Sequence, residues 1–184
     1  METAEEIVSF IERQRDMLKL LQSVDELKLP DCWIGAGFVR NAVWDALHGR
    51  VPNCGILNDV DVVFFDDADP RTARDRAIEA TLMVRAPNVP WQVKNQARMH
   101  VRNGEPPYVG TASAIARWPE TATAVAARLS KGRVELLAPH SIADLVRLIV
   151  RPTPAFSSRR DEVVRRVTSK NWSARWPKLT ILDA

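Results

Sequence analysis

The sequence predicts an α/β (α+β) fold, and three observations carry that reading. A short apolar run at 29–34 enters Gly35-Ala36-Gly37 and gives way to helical spacing over 38–47. A second run, N-D-V-D-V-V-F-F-D-D at 58–67, is rich in β-branched and aromatic residues and free of Gly and Pro, so it reads as a strand. A third strand-like run, 91–97, follows a helical stretch and has one apolar and one polar side. Strands that alternate with helices belong to layered α/β architectures.

Composition is that of an ordinary globular chain. Of 184 residues, 46% are hydrophobic and 27% charged, enough for one domain. We expect a single domain over 1–184 with its core at about 29–150, an N-terminal helix at 3–22 and a C-terminal helix at 157–172 packed on it. The net charge of +3 suits an anionic ligand but does not by itself indicate nucleic acid. No stretch of about 18 apolar residues is present, so no membrane span is expected. The N-terminus is acidic and amphipathic, unlike a secretory signal. Cys32 and Cys54 form no CxxC pair and no zinc ligand set, and both read as reduced thiols of a cytoplasmic protein, with Cys32 in or near a core strand.

Taken in order, Thr3 and Glu6 make a capping box ahead of Ile7, Phe10, Ile11, Leu18 and Leu21, which keep helical spacing to about residue 22. The strand at 29–34 follows. In the next helix Val39, Ala42, Val43, Ala46 and Leu47 share a face, and Gly49 supplies the stop. Pro52, Asn53 and Gly55 break the chain into a loop over 51–57. After the 58–67 strand, Asp66 and Asp67 read as turn residues. Asp69 reads as a cap and Pro70 as the first residue of a helix to about Val84. In the third strand Trp91, Val93 and Asn95 share one face, and Gln92, Lys94 and Gln96 the other.

Further on, 111–118 reads as one or two helical turns stopped by Pro119. A hairpin is expected from 121–129 and 133–137 around Ser130-Lys131-Gly132. Ser141 and Asp144 cap a helix to about Val150. Pro152 and Pro154 mark a loop, and Ser157 or Ser158 opens the last helix. Trp172, Trp176 and Pro177 are expected to seal that end against the core. An aromatic platform for bases would want interleaved basic residues, which are missing there.

Two stretches can carry chemistry. Along the 58–67 strand, Val60, Val62 and Phe64 face one way, and Asp59 and Asp61 the other, with Cα atoms roughly 6.5–7 Å apart. Such a pair suits one or two divalent cations. The alternative is an edge strand whose solvated face happens to carry two acids. The strand–glycine turn–helix at 29–47 can place free N–H groups and a helix N-terminus around a phosphate, with Arg40 one turn in. The alternative there is a tight turn that needs glycine for its backbone. His48, His100 and His140 are scattered, and only His100 is expected near the site.

These segments carry a resemblance. Gly35-Ala36-Gly37-Phe38-Val39-Arg40 resembles the glycine signature of the DNA polymerase β-like nucleotidyltransferase superfamily, especially the G-G-x-V-R form of tRNA nucleotidyltransferases. W-I-G-A-G-F-V-R-N-A-V-W-D (33–45), N-D-V-D-V-V-F-F-D (58–66), W-Q-V-K-N-Q-A-R-M-H (91–100), R-W-P-E-T-A-T-A-V (117–125) and A-P-H-S-I-A-D-L (138–145) resemble one bacterial nucleotidyltransferase-like family whose substrate is unassigned. Together they cover about 33–177. The resemblance implies a small mixed sheet flanked by helices and Mg²⁺- (or Mn²⁺-) dependent transfer of a nucleoside monophosphate from an NTP. It implies Asp59 and Asp61 as catalytic metal ligands, and Gly35, Ala36, Gly37, Arg40 and Lys94 as nucleotide-binding residues. The acceptor is left open among a small molecule, a protein and an RNA end. The superfamily usually adds a third carboxylate on the next strand. Here that slot falls at Gln92, which carries no charge. Glu135, on the hairpin, is the alternative third acid.

Three readings follow. The first is an enzyme of this class. The second is a nucleotide-binding or regulatory protein on the same fold, with weak or no catalysis. The third is a dinucleotide-binding Rossmann unit, since Gly35-x-Gly37 follows a strand and an acid lies about 20 residues on. Against the third stands Arg40 in the third glycine slot.

Overall fold

A computed structural model describes residues 1–182; the last two residues of the expected 1–184 domain lie outside the described residues. The chain begins with helices α1 (Ala4–Arg13) and α2 (Arg15–Asp25). Strand β1 (Trp33–Gly35) runs into α3 (Gly37–Leu47), and β2 (Val60–Phe64) follows a loop. Next come α4 (Thr72–Arg85), β3 (Trp91–Asn95), α5 (Met99–Asn103) and α6 (Thr111–Ile115). The hairpin is β4 (Ala126–Ser130) and β5 (Arg133–Leu137). The chain then forms α7 (Ala143–Val146), β6 (Ile149–Val150), α8 (Arg160–Ser169), α9 (Trp172–Arg175) and β7 (Thr180–Ile181).

The main sheet has five strands in the order β3-β2-β1-β4-β5 among the described residues. β2 and β3 are parallel, and the other neighbours are antiparallel. This mixed sheet is the α/β fold expected. It excludes the Rossmann reading, because a dinucleotide-binding βαβ unit needs the strands on either side of the glycine-turn helix to be parallel. Here β1 and β2 run antiparallel.

Period-2 alternation divides the sheet into unlike faces. Ile34, Val60, Val62, Phe64, Trp91, Val93, Ala127 and Val134 enter one hydrophobic core with Ile7, Leu21, Trp44, Leu82 and Trp176. Such aliphatic and aromatic side chains contribute about 1.5–3 kcal/mol each when fully buried. The opposite face carries a small cluster of Trp33, Val63, Ile115, Ala124 and Ala126. The same face presents Asp61, Gln92 and Lys94.

Both outer edges of the sheet are closed by helix carboxylates. Glu12 accepts from the Val134 N–H (3.2 Å) on β5, and Glu79 and Asp75 accept from Val93 N–H (3.0 Å) and Asn95 N–H (3.1 Å) on β3. Capping the free N–H groups in this way blunts edge-to-edge pairing.

Several expected boundaries move. The 3–22 helix is two helices, because Gln14 adopts extended angles (φ −89°, ψ 98°). The bend lets α1 lie on β5 and α2 on β4, so that Ile7, Phe10 and Ile11 and then Met17, Leu20 and Leu21 all reach the core. No Gly or Pro marks the break; tertiary packing imposes it. Helix α4 starts at Thr72, after Asp69 takes the Arg71 N–H in a turn (3.3 Å), so Pro70 stays outside it. The first hairpin arm starts at Ala126, because Glu120 turns back and its carbonyl accepts from Thr123 and Ala124 (3.0 Å each). The expected 141–150 helix is the four-residue α7. Leu148 then takes φ 58°, and Ile149–Val150 pairs in parallel with Thr180–Ile181. The last helix divides into α8 and α9. The tryptophans seal it as expected: Trp44 meets Trp172 and Trp176 edge-on at 5.4 and 5.1 Å.

Candidate active site

The site begins at the turn between β1 and α3. Gly35 has no room for a side chain, since a Cβ there would lie 2.4 Å from Cη2 of Trp118. Glycine is required at 35 by the indole that closes over it. The positive φ of the turn falls instead on Ala36 (φ 51°, ψ −117°). A non-glycine residue held there costs about 1–3 kcal/mol and persists where its surroundings fix it. Ala36 is fixed by two bonds: its N–H donates to Val125 C=O (2.9 Å) and its C=O accepts from Arg40 N–H (3.0 Å). That second bond is the first of α3, so the N–H groups of Gly37, Phe38 and Val39 precede the helical ladder. A Cβ on Gly37 would have ordinary van der Waals space.

Ala36, Asp61 and Lys94 line one cleft of about 370 Å³. Asp61 sits on β2, beside β3, with Gln92 as its registered partner and Val63 opposite Lys94. Strand register therefore puts Gln92 next to Asp61 on the same face of the sheet, where it is exposed and stands outside the cleft lining. Lys94 Nζ donates to Gln92 Oε1 (3.0 Å), which ties the two together. Burial raises the Asp61 carboxyl above its ordinary value, and the charge of Asp59 raises it further; Lys94, Lys170 and Arg40 act the other way. Asp59 thus lies in electrostatic reach of both Asp61 and Arg40.

Arg40 does not reach out as the sequence suggested. It is 5% exposed. Its guanidinium donates to Thr123 Oγ1 (2.8 Å) and Asn41 Oδ1 (2.9 and 3.2 Å) and stacks on Trp172 at 4.2 Å. Burial pulls it down to about 10, opposed by Glu120 and the Asp pair. Glu135 is also apart. It faces the same side of the sheet, but β5 is three strands from β2, roughly 14 Å at the usual spacing. There it accepts from Arg128 (2.7 Å). His100 does not line the cleft; its ring packs edge-on to that of Tyr108, 6.0 Å between centroids, and Tyr108 lines it.

The rest of the cleft was not singled out from sequence. Arg102, Arg117, Arg159 and Arg166 join Lys94 on its walls, against the acids Asp61 and Glu105. At one end, Asn103 donates to Tyr108 Oη (2.9 Å), and Tyr108 donates to Glu105, itself 3.7 Å from Arg117. Arg159, Arg166 and Lys170 recur at i, i+7 and i+11, one face of α8 and its ends. That periodicity was the available signal for a basic wall. The excess of cations favours a polyanionic ligand.

Among the described residues no group of three or more His, Cys, Asp or Glu side chains gathers as a metal cluster. A two-carboxylate set still fits Mg²⁺, which is usually held by one or two carboxylates with waters and substrate phosphates completing its shell. Asp61 faces the cleft in no ion pair among the described residues, which leaves its oxygens open to such a cation. The thiols offer no rival chemistry: burial pushes Cys32 up to about 12 and Cys54 up to about 11, so neither ionises near neutrality.

A protein whose NMR structure reveals a CCA-adding enzyme head domain matches with TM-score 0.88 and 31% identity, over 100% of this chain and 98% of that chain. The Thermotoga maritima CCA-adding enzyme complexed with tRNA matches with TM-score 0.58 and 16% identity, over 97% of this chain and 42% of that one. A CCA-adding enzyme complexed with ATP matches with TM-score 0.57 and 17% identity, over 99% and 43%. The last two likenesses are of fold, and this chain spans less than half the length of those enzymes. No match is found among curated proteins. The mixed sheet flanked by helices is that of the polymerase β-like nucleotidyltransferase fold, and since the nucleotidyltransferase family model matches residues 22–181, the chain belongs to that family.

Proposed function

We propose that this protein moves a nucleoside monophosphate from an NTP to an acceptor, with Mg²⁺ or Mn²⁺ held at Asp59 and Asp61. The observation that carries the reading is the cleft that joins Asp61, the Ala36 turn and a wall of arginines. An oxygen of the acceptor attacks the α-phosphorus, the bond to the β-phosphate oxygen breaks, pyrophosphate leaves, and the acceptor's proton passes to solvent. The cation supplies charge stabilisation at the reacting phosphate oxygens when bound. The N–H groups that open α3 orient the triphosphate, and Lys94 and the arginine wall offset its charge. Gln92 supplies no base, so transfer is slow or restricted to acceptors that ionise readily; a general base is typically worth 10²–10⁴-fold. Free cysteines and a nucleotide substrate go with a cytoplasmic location.

Gln92 opposite Asp61 also supports the second reading, a nucleotide-binding protein that transfers little or nothing. One experiment separates them. NTPs labelled at the α-phosphate are incubated with the protein and Mg²⁺ or Mn²⁺, with small-molecule, RNA and self-modification acceptors. Label transfer with pyrophosphate release supports the enzyme. Saturable metal-dependent nucleotide binding without pyrophosphate supports the binding protein.

A further inference from the structure

We propose that Arg166 on α8 is a phosphate-contacting residue of the cleft, and that the buried Glu120 is the positioning residue that holds it there. The inference rests on the nucleotide reading of the site above. Sequence points to Arg40 as the arginine beside the glycine turn, yet Arg40 is sealed beneath Trp172 and fully engaged by Thr123 and Asn41. Arg166 lines the same cleft as Asp61 and Ala36, with its side chain 38% exposed. It can meet a ligand where Arg40 cannot.

Glu120 explains why a long side chain on α8 would stay aimed. Its side chain is 0% exposed, and one carboxylate oxygen accepts from Arg166 Nε at 2.9 Å. Binding through Nε leaves the two terminal nitrogens of the guanidinium for another anion. The second carboxylate oxygen, Oε2, is buried with no hydrogen-bond partner among the described residues. A buried carboxylate is costly unless its charge does something. Here it pairs with Arg166 and also offsets the charge of Arg40, which Arg166 repels. The backbone fixes Glu120 in turn: its C=O accepts from Thr123 and Ala124, and it forms a β-bridge with Pro152. The same turn that cuts the expected hairpin arm short thus places a negative charge against Arg166, within electrostatic reach of Arg40.

The test uses inorganic tripolyphosphate with Mg²⁺, which has phosphates but no base, and measures its affinity for the wild type and for Asp61→Asn, Arg166→Ala, Arg166→Lys and Glu120→Gln, alongside melting temperature. Arg166→Ala is expected to weaken tripolyphosphate binding about tenfold or more. Arg166→Lys keeps the charge but loses the Nε donor, and is expected to weaken it by about three- to tenfold. Glu120→Gln is expected to do likewise, and to add nothing further when combined with Arg166→Ala. Wild-type affinity in Arg166→Ala, with binding still lost in Asp61→Asn, would overturn this inference and leave the nucleotide reading standing. No binding by the wild type would sink both. A lower melting temperature in Glu120→Gln with unchanged affinity would make Glu120 merely structural. Should Glu120→Gln fail to fold, wild-type affinity in Arg166→Lys overturns the positioning role on its own.

Discussion

At the β4–β5 end of the open sheet face, Glu135 accepts from Arg128 at 2.7 Å, and Arg128 stacks on Trp33 at 4.2 Å. That hydrogen bond holds the Glu135 carboxyl below its ordinary value. At the β2–β3 end of the same face, burial and then Asp59 push the Asp61 carboxyl the other way. Both acids stand on short strands, and sequence alone offered both as site residues. The difference lies in what each already has. Glu135 has its cation inside the chain, while Asp61 is left facing a cleft with its charge incompletely answered. Folding does not select such an arrangement for stability, which is why it marks the end where a ligand is expected.

The largest effect should come from the unanswered end. Asp59→Asn or Asp61→Asn is expected to cut label transfer by about a thousandfold, the scale of several kcal/mol of lost charge stabilisation. Glu135→Gln should leave transfer within about twofold. A large loss in Glu135→Gln would erase the distinction and restore Glu135 as the third acid.

Next in size are the two glycines. Gly35→Ala drives a methyl into the Trp118 indole, and chemical denaturation should show about 1–3 kcal/mol of lost stability. At Gly37 an added Cβ meets only ordinary contacts, so in Gly37→Ala stability should hold while NTP affinity falls about fivefold, through blocked approach to the N–H groups of α3. Equal stability losses at 35 and 37 would contradict the division between packing glycine and ligand glycine.

The smallest effect sharpens the comparison directly. Gln92→Glu adds a third carboxylate beside Asp61, and titration should show Mg²⁺ affinity rising several-fold. Glu135→Gln, at a partly exposed ion pair, should cost at most about 1 kcal/mol of stability and leave metal affinity untouched. No gain in Gln92→Glu would mean that position 92 does not face the metal.

Much of this was legible in the sequence for identifiable reasons. Strand β2 was plain because period-2 alternation needs only local pattern, and Val60, Val62 and Phe64 enter the core as that pattern demands, although it is shorter than the expected 58–67 and Asp59 lies just before it. Gly49 ended α3 with positive φ, as a C-terminal glycine should. What could not be read was tertiary. The bend at Gln14 serves the sheet beneath it, not any local breaker. The burial of Arg40 depends on Trp172, 132 positions further along the chain, coming down on its guanidinium. The arginine wall was hidden because Arg159 and Arg166 come to the same cleft as Asp61 only in the folded chain, although Arg159, Arg166 and Lys170 already had one-face spacing. Glu120 lay in the 117–125 segment that carries the resemblance, but nothing local to it showed that it would be buried against Arg166.

The most direct test is thermal unfolding of wild type and Asp61→Asn, each with and without Mg²⁺ and ATP, across a pH series. In the folded protein Asp61 holds its proton more tightly than in the unfolded chain. Stability without ligand therefore falls as pH rises from the ordinary carboxylate value through the raised one. Asp61→Asn removes that loss, so at neutral pH the unliganded variant should melt higher than the wild type. Mg²⁺ with ATP should raise the wild-type melting temperature, by an amount that fades as acid protonates Asp61, and should not move the variant. An Asp61→Asn protein that melts lower than wild type without ligand, and still gains stability from Mg²⁺ and ATP, would contradict the account.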